Sequence, residues 1–539
     1  MKPDSMELRL SNDLPTLQTF AIVFIATLVL VLLREARKES FPKISGLPEV
    51  PGQLPFVGHL HALGGRQPKN DSTVFAEWGE QLHADIFQCR IGDQRTVIVN
   101  TFAKMRDLWI NRANAILDRP YQPGFVDKLG VDITGSSMTD QIRRCRQAAM
   151  RALGKPMWPK YYHLLEPSSS GLVSRLYTQG LNGGKAIDAY PYLRHIVFDL
   201  TLSITYGARF GEVNDEFMIT FLRSINAISA IRNSTKSYRQ WIPLLRLWPE
   251  RTSETVAAER VRQKHLDVLY GGYKQRVANG EEVDCIVRSL GDDKLSEEEI
   301  HGTCVSLLQA APDTVASGMY QCIAWLSSPA GQDTQTKAYN AILEAYAGDR
   351  DRAWQMAFRE EKVPLVVSLY KETLRYFTFT PYATPRAASK DVKYGDIAIP
   401  KGMTMIINAQ QINHDPAHYG PDVWEFKPDR FIGNDNPLPH VAFGAGGRIC
   451  PAVAISNRII YAVLVRLLLA FEIKESSDPA ARKPVIDPIH FSDVYGEIVA
   501  HPKFFDCCFA ARDEAWLQQL PAESGGNYAE GYERAHGKL

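Results

Sequence analysis

The residues best suited to chemistry lie in one short stretch, Phe443 to Pro451, which reads FGAGGRICP. Its glycines let the backbone turn tightly beside a flat ligand without side-chain clash. Pro451 suits the first turn of a following helix, where backbone N–H groups can hydrogen-bond a thiolate. The stretch therefore presents Cys450 as an anionic axial ligand, and Arg448 as a partner for a carboxylate at the ligand's edge. The alternative is that Cys450 is an ordinary buried cysteine.

A second candidate element is a long helix with an irregular centre. Ser296 followed by Glu299 forms a capping box, and the helical pattern continues to Ser328. Such a helix crosses the core of a large fold. Pro312 lies near its middle and lacks the N–H that an α-helix needs there, so we expect the helix to kink or open.

An acid and an alcohol, Asp313 and Thr314, follow this proline directly. One interpretation is structural: Asp313 caps a kink, and Thr314 bonds the preceding helical turn. The other is functional: the two side chains line a groove where they meet a ligand. The helix pattern alone does not separate the two interpretations.

Helical patterns dominate residues 59–520, which contain no internal repeat or low-complexity block. Short β-rich pieces occur near residues 84–100 and 390–410. The predicted fold class is therefore mainly α with small β-sheets, built as one domain over residues 59–520. The polar residues 521–539 are predicted to form a disordered tail.

The first part of the chain has a different composition. Residues 14–33 carry no charge, and 20–33 are almost wholly apolar, which predicts a transmembrane anchor after a short segment 1–13. A cleaved secretory signal is the alternative, but no small-residue cleavage site follows. Instead, residues 34–58 form a basic and proline-rich hinge, which predicts a cytosolic body and a stiff spacer.

Composition excludes several classes of protein. Basic and acidic residues number 61 each, so no overall field attracts nucleic acid. The hydrophobic share of 45% and the charged share of 23% are those of a globular protein rather than a disordered or polytopic membrane protein. Eight cysteines without a CxxC pair argue against a disulfide framework and a zinc ribbon, and favour reduced thiols in the cytosol.

These motifs together resemble the cytochrome P450 family. The Cys450 stretch is similar to the family's haem-binding signature FGxGxRxCxG, with Ala452 in place of the last glycine. Glu372 and Arg375 are similar to its ExxR motif, whose two side chains share one helix face. The resemblance implies haem b as cofactor, Cys450 as the axial ligand of the haem iron, and a structural lock formed by Glu372, Arg375 and Arg430.

The resemblance implies further cofactor-binding residues and covers nearly the whole chain, from the anchor to about residue 510. Phe443 and Arg448 belong to the haem loop, and Arg386 matches a residue that binds a haem propionate. The family's WxxxR motif, which also binds a propionate, departs here. Arg146 is present, but Ile142 stands where the tryptophan is expected.

The implied activity is that of a haem-thiolate monooxygenase, which inserts one oxygen atom of O2 into an organic substrate. A cysteine thiolate favours O–O cleavage, whereas histidine ligation favours oxygen carriage or peroxidase chemistry. In this interpretation Thr314 hydrogen-bonds dioxygen and Asp313 relays protons, as catalytic residues. The family's central-helix pattern departs at Ala311, Pro312 and Val315, where the groove glycine and a second hydroxyl are missing.

The implied electron donor is NADPH–cytochrome P450 reductase, because the chain has no dinucleotide-binding fingerprint of its own. A basic cluster could form part of its docking face, with a solvated helix surface as the alternative, and Arg146 is expected to turn inward in either case. The cluster comprises Arg143, Arg144, Arg146, Arg151 and Lys155. The expected location is the endoplasmic reticulum membrane, crossed once by the anchor in contact with lipid, with the haem domain in the cytosol.

The substrate is the least defined part of the assignment. Phe377, Phe379 and Tyr382, interleaved with Thr378 and Thr380, lie in the family's recognition segment and predict an aromatic pocket, unless they are core residues. The chain resembles fungal P450s that hydroxylate small phenols and aryl acids. This favours a small aromatic, phenolic or polyketide-derived substrate in aromatic catabolism or secondary metabolism.

Two functions from other classes remain as alternatives. The first is a P450-fold isomerase or dehydratase that does not use O2, against which the retained Asp313 and Thr314 argue. The second is a non-catalytic haem-binding protein, for which an anchor and a reductase-type face would be superfluous.

Overall fold

The computed structural model describes most of the chain, in ranges separated by short gaps. The ranges are residues 14–36, 39–65, 69–120, 130–208, 219–225, 238–242, 244–245, 253–434, 436, 438–495 and 498–520. The predicted N-terminal segment 1–13 and the predicted tail 521–539 therefore lie outside the described residues.

Helices make up most of the described structure, as the sequence predicts. In chain order they are α1 (Leu14–Ala36), α2 (Asp71–Gln81), α3 (Phe102–Met105, continued by a π-helical turn Arg106–Ile110), α4 (Asp140–Ala152), α5 (Trp158–Gln179), α6 (Tyr190–Tyr206), α7 (Tyr238–Trp241), α8 (Ser253–Ala278), α9 (Ile286–Asp292), α10 (Glu297–Ser327), α11 (Gln332–Ala345), α12 (Arg350–Met356), α13 (Pro364–Phe377), α14 (Ala409–Asn413), α15 (Pro416–Tyr419), α16 (Val453–Ala470) and α17 (Glu514–Gln519).

The sheets are small, and two of the three lie where the β-rich pieces of the sequence predict them. Their strands are β1 (Ile86–Ile91), β2 (Gln94–Val99), β3 (Arg386–Ala387), β4 (Val392–Tyr394), β5 (Ile397–Ile399), β6 (Thr404–Ile407), β7 (Phe471–Glu475) and β8 (Cys507–Ala511). One sheet has the order β1-β2-β6-β3, in which β2 and β6 are parallel and the other pairs antiparallel. The pairs β4-β5 and β7-β8 are antiparallel ribbons.

The long central helix α10 begins with the predicted capping box. Ser296 Oγ accepts a hydrogen bond from the Glu299 backbone N–H, and the Glu299 carboxylate accepts one from the Ser296 N–H. The helix runs through Pro312 without a break, so the expected opening is not present. Packing against α6, α13 and α16 holds this turn helical despite the missing N–H, which costs an isolated helix about 3 kcal/mol.

Helix α13 positions two charged residues inside the core. Pro364 occupies its first turn, and the helix ends at Thr378, whose φ of 34° is left-handed. The Thr378 hydroxyl donates to the Arg375 carbonyl at 2.8 Å, which satisfies one of the free carbonyls at this helix end. The spacing of Glu372 and Arg375 places both on the buried face.

The N-terminal helix α1 carries the apolar stretch from which an anchor is predicted. Its described side chains from Thr19 to Val31 are exposed, but this apolar part is shorter than a full membrane span. Among the described residues, the helix long and apolar enough to cross a membrane is α16, with a mean hydropathy of 1.8. Since 83% of α16 is buried inside the protein, it is a core helix.

The proline-rich segment after α1 is packed onto the first sheet from Glu39 onward. Arg95 on β2, only 3% exposed, lies 2.5 Å from carboxylate oxygens of both Glu39 and Glu49. The backbone of Ser40 donates to the Asp93 carbonyl at 2.8 Å. We call this set of contacts the Arg95 clamp.

Candidate haem-binding and oxygen-activation site

A cavity of about 610 Å³ lies between α10, the Cys450 loop and the segment after α13. This volume is in the range of ligand-binding clefts, roughly 300–1,000 Å³. Much of its wall is apolar, including Phe75, Ile133, Leu307, Phe379, Ile406 and Ile460. Cys450, Phe443, Asp313 and Thr314 all line this one cavity, which brings together residues far apart in the sequence.

The Cys450 loop is held by short backbone contacts. The Cys450 N–H donates to the Phe443 carbonyl at 3.0 Å, which closes the loop. Burial raises the pKa of the Cys450 thiol, while a hydrogen bond from the Ala452 backbone N–H and the charge of Arg146 act in the opposite direction. These last two interactions favour the thiolate, which is the form that binds iron.

The loop glycines have different roles. Gly444, with a φ of 73°, lines the cavity and has no atom nearer to an added Cβ than Arg386 Nη2 at 3.7 Å. A Cβ on Gly446 would lie 1.8 Å from the Trp109 carbonyl oxygen, so this glycine permits packing against the protein rather than against a ligand. The sequence pattern predicts that all of them lie beside the ligand, and for Gly446 this prediction is wrong. Ala452 has φ −97°, so the family's last glycine is not needed for the backbone here.

Three buried arginines converge beside the loop. Arg146 donates to the carbonyls of Ile133 and Ile449, at 3.1 and 2.8 Å. Arg386 donates to the Ala445 carbonyl at 2.6 Å, and Arg448 donates to a backbone carbonyl as well. Burial, together with the neighbouring arginines, lowers the pKa of Arg386 to about 9 and that of Arg448 to about 10.

The unsatisfied atoms of these arginines test whether a haem fits. Arg386 Nη1 and Arg448 Nε and Nη1 are buried without a hydrogen-bond partner. None of the three arginines forms an ion pair with a carboxylate among the residues that the structure describes. A ligand with two carboxylates beside Cys450 would supply both the missing acceptors and the missing negative charge. The residues present therefore fit the two propionates and the iron of a haem.

Glu372, Arg375 and Arg430 meet as the resemblance implies. Arg375 makes two hydrogen bonds to the Glu372 carboxylate, 2.7 Å from Nε and 2.8 Å from Nη2. Arg430 Nε lies 3.1 Å from Glu372 Oε1. The side chains of Glu372 and Arg375 are fully buried, and Arg375 also donates to the carbonyls of Asn413 and Val423. The cluster thereby joins α13 to the segment that leads to the Cys450 loop.

Asp313 and Thr314 line the cavity, and each also has a partner in the protein. Arg194 Nε on α6 lies 2.8 Å from Asp313 Oδ1. The Thr314 hydroxyl donates to the Ala310 carbonyl at 2.8 Å. The structure thus contains the hydrogen bond from Thr314 to the preceding helical turn, which the structural interpretation predicts. It also places both side chains in the cavity wall, which the functional interpretation predicts.

The aromatic segment after α13 divides between core and cavity. Phe379, Thr380 and Tyr382 line the cavity as predicted for a pocket. Phe377 packs against Phe426 and Phe491 in the core, and Thr378 is buried. For these two residues the core alternative therefore holds, and for Phe379, Thr380 and Tyr382 the pocket alternative holds.

Two cavity residues were not among the residues predicted from the sequence. Arg119 lines the cavity and donates to the carbonyls of Thr134, Thr384 and Pro385 at 2.8–2.9 Å, which joins two stretches of its wall. Gln309 lies on the cavity face of α10. A helical projection of α10 places Gln309 on the same face as Asp313 and Thr314 and could have identified it. No sequence spacing relates Arg119 to the other cavity residues.

Ile142 and the four arginines of the basic cluster lie on α4, the helix that Thr139 caps, and Lys155 lies in the short turn just after it. Ile142 is buried in the apolar core and offers no donor, while Arg146 turns inward as expected. The other basic residues are exposed, and three of them form ion pairs with acids: Arg143 with Asp140, Arg144 with Glu299, and Arg151 with Asp293.

Comparisons with known proteins agree with this geometry. The family model for cytochrome P450 matches residues 48–491. The chain is 32% identical to phenylacetate 2-hydroxylase of Emericella nidulans, over 94% of this chain and 98% of that protein. It is 28% identical to 3-hydroxyphenylacetate 6-hydroxylase of the same organism, over 92% and 95%. It is 29% identical to a cytochrome P450 monooxygenase of Mycosarcoma maydis, over 78% and 80%.

Proposed function

Because the chain belongs to the cytochrome P450 family and is a monooxygenase of that family, we propose that it hydroxylates a small aromatic substrate. The observation that carries the proposal is the cavity, which Phe379 and Tyr382 line together with Asp313 and Thr314. Aromatic walls bind aromatic ligands by edge and face contacts. Two relatives named for hydroxylation of phenylacetate and of 3-hydroxyphenylacetate support the same substrate class.

In the proposed site, Cys450 ligates the iron of haem b, and Arg146, Arg386 and Arg448 hold its propionates. When bound, the haem supplies the reduction and cleavage of O2 that a thiolate ligand favours. The chain's own contribution is the Ala452 N–H, which favours the thiolate of Cys450 against the burial that raises its pKa, and a set of buried donors around the propionates. Phe443 lines the same cavity.

We assign proton transfer to Asp313 and Thr314. The Thr314 hydroxyl, now bonded to the Ala310 carbonyl, can rotate about χ1 to donate into the cavity. The Asp313 carboxylate is 17% exposed and can exchange protons with water. Together they would deliver the two protons that reduction of one oxygen atom to water consumes.

We also propose that α1 anchors the protein in the endoplasmic reticulum membrane, with the haem domain in the cytosol. The exposed apolar face of α1 supports this, as does the basic and proline-rich segment that follows. The electron donor would then be NADPH–cytochrome P450 reductase. Arg143, Arg144, Arg151 and Lys155 are exposed and available for its acidic surface, in competition with their internal ion pairs.

Spectral titration of the haem-loaded protein with a panel of phenols and aryl acids tests the substrate class. We expect a saturable shift of the haem absorbance for aryl compounds, followed by NADPH-dependent O2 uptake and a hydroxylated product when the reductase is added. A panel of aliphatic acids of similar size is the control. Binding of the aliphatic panel without the aryl panel would contradict the proposal.

A further inference from the structure

We propose that the side-chain amide of Gln309 binds the oxygen substituent of the aromatic substrate, an inference that rests on the proposed function. Gln309 lies on α10 in the cavity wall, four residues before Asp313 and therefore on the same helical face. Among the residues that the structure describes, neither atom of its amide has a hydrogen-bond partner, and Nε2 is buried. A buried N–H without a partner costs free energy that a ligand oxygen can recover.

Three neighbouring polar groups of the cavity have already used their donors. The Ser306 hydroxyl donates to the Gly302 carbonyl at 2.7 Å, and the Thr314 hydroxyl to its own helix at 2.8 Å. Across the cavity, the Thr380 hydroxyl donates to the Ala442 carbonyl at 3.2 Å. Gln309 can instead turn its amide about the terminal torsion without breaking a bond inside the protein.

The electrostatics beside Gln309 suit an oxygen ligand. Asp313 is the acid one helical turn away, and its carboxylate is paired with Arg194 at 2.8 Å. This pairing offsets the negative charge that would repel a carboxylate or an electron-rich phenol. An amide also donates and accepts, so Gln309 can bind both a phenolic hydroxyl and a carboxylate oxygen.

The test compares ligands with and without an oxygen in the wild-type and Gln309→Leu proteins. Dissociation constants for m-cresol, phenylacetate and ethylbenzene are measured by spectral titration of the full-length haem-loaded chain. Gln309→Leu should weaken m-cresol and phenylacetate roughly tenfold, the usual effect of one lost hydrogen bond. Ethylbenzene should bind equally well or more tightly. Equal changes for all three ligands would overturn the proposal.

Gln309→Glu separates the two kinds of oxygen. A carboxylate at this position still accepts from the hydroxyl of m-cresol but repels phenylacetate. We therefore expect a larger loss for phenylacetate than for m-cresol. Unchanged phenylacetate binding would show that position 309 does not contact the ligand's oxygen, which would refute the proposal.

A matched control and the wild-type result keep the two hypotheses distinct. Ser306→Ala removes a nearby cavity hydroxyl whose proton is already held by the Gly302 carbonyl or the Asp132 carboxylate, so it should change all three dissociation constants by a similar factor. If the wild-type protein binds none of the three ligands, the proposed function fails. If it binds all three and Gln309→Leu does not discriminate among them, only the role of Gln309 fails.

Discussion

The Nε atom of Arg194 lies 2.8 Å from Oδ1 of Asp313, so the acid proposed to transfer protons is held by a basic side chain from the neighbouring helix. The two side chains are 23% and 17% exposed. The carboxylate is thereby fixed in direction while it remains in contact with water. An Asp313 on an isolated helix would lack this constraint.

Removing Arg194 should disturb proton transfer through Asp313. In Arg194→Met protein, the hydrogen peroxide formed per NADPH oxidised should rise, because the carboxylate loses its fixed position. Asp313→Asn should change the ratio in the same direction. The double variant should be no worse than Asp313→Asn alone, since both changes act on one carboxylate. If the effects of the two single changes on the peroxide ratio add, as free energies, in the double variant, the two residues act separately.

Thr314→Ala should raise peroxide formation without a comparable loss of NADPH consumption. The variant lacks the hydroxyl that is proposed to rotate and donate into the cavity, so we expect reduced oxygen to leave as peroxide before the substrate reacts. Thr314→Ser keeps the hydroxyl and is the matched control. Peroxide and product are measured per NADPH oxidised. If the product formed per NADPH oxidised is the same in Thr314→Ala and in the wild type, the Thr314 hydroxyl has only the structural role of its hydrogen bond to Ala310.

Cys450→Ala should abolish the ferrous-CO absorbance band that is characteristic of thiolate ligation. The fold should survive, because the Cys450 contact that closes the loop is a backbone hydrogen bond to Phe443. Circular dichroism of the same sample checks the fold. Retention of the thiolate-type band would identify another residue as the iron ligand.

Glu372→Ala should destabilise the protein by about 3–5 kcal/mol, because it leaves the fully buried Arg375 without its counter-charge. Urea unfolding gives the change. Asp333→Asn is the control, since its ion pair with Lys337 is exposed and screened by water and should contribute far less to stability. A loss below about 1 kcal/mol in Glu372→Ala would mean that the buried cluster does not lock the fold.

Acid should destabilise the protein through two buried histidines. Burial, with lesser contributions from nearby basic groups, lowers the pKa of both His414 and His440 to about 3. Both are neutral in the folded protein, whereas the unfolded chain protonates them near pH 6.5. The free energy of unfolding is therefore unaffected by these histidines above about pH 6.5 and falls as the pH drops from there toward about 3. At about pH 5 the loss is about 2 kcal/mol per histidine.

The titration prediction is checked with urea midpoints at about pH 7.5 and about pH 5. His414→Gln should lose part of the pH dependence, because glutamine does not titrate in this range. His163→Gln, at an exposed position, should keep all of it. Identical pH dependence in all three proteins would assign the acid sensitivity to other groups.

Motifs whose residues lie close together in the sequence, at a fixed spacing, were predictable from the sequence alone. The Cys450 loop and the Glu372–Arg375 pair are local patterns, so their geometry follows from a turn and a helix. Arg119 and Gln309 were not predicted. Arg119 reaches the cavity through carbonyls that are distant in the sequence, and the relevance of Gln309 depends on which face of α10 meets the cavity.

Two alternatives that the sequence left open were decided by tertiary contacts. Pro312 predicts a kink or an opening of α10, and neighbouring helices keep the helix continuous, so it does not open there. Phe377 could line a pocket or the core, and as the last residue of α13 it packs in the core against Phe491. Neither outcome can be read from a window of a few residues.

The Arg95 clamp leaves only a short connection between α1 and the first sheet. Helix α1 ends at Ala36, and the chain is already tied to the first sheet at Glu39 and Ser40. If α1 lies in a bilayer as proposed, the short stretch between Ala36 and Glu39 limits how far the haem domain can lie from the membrane surface. Lengthening this stretch would relax that limit.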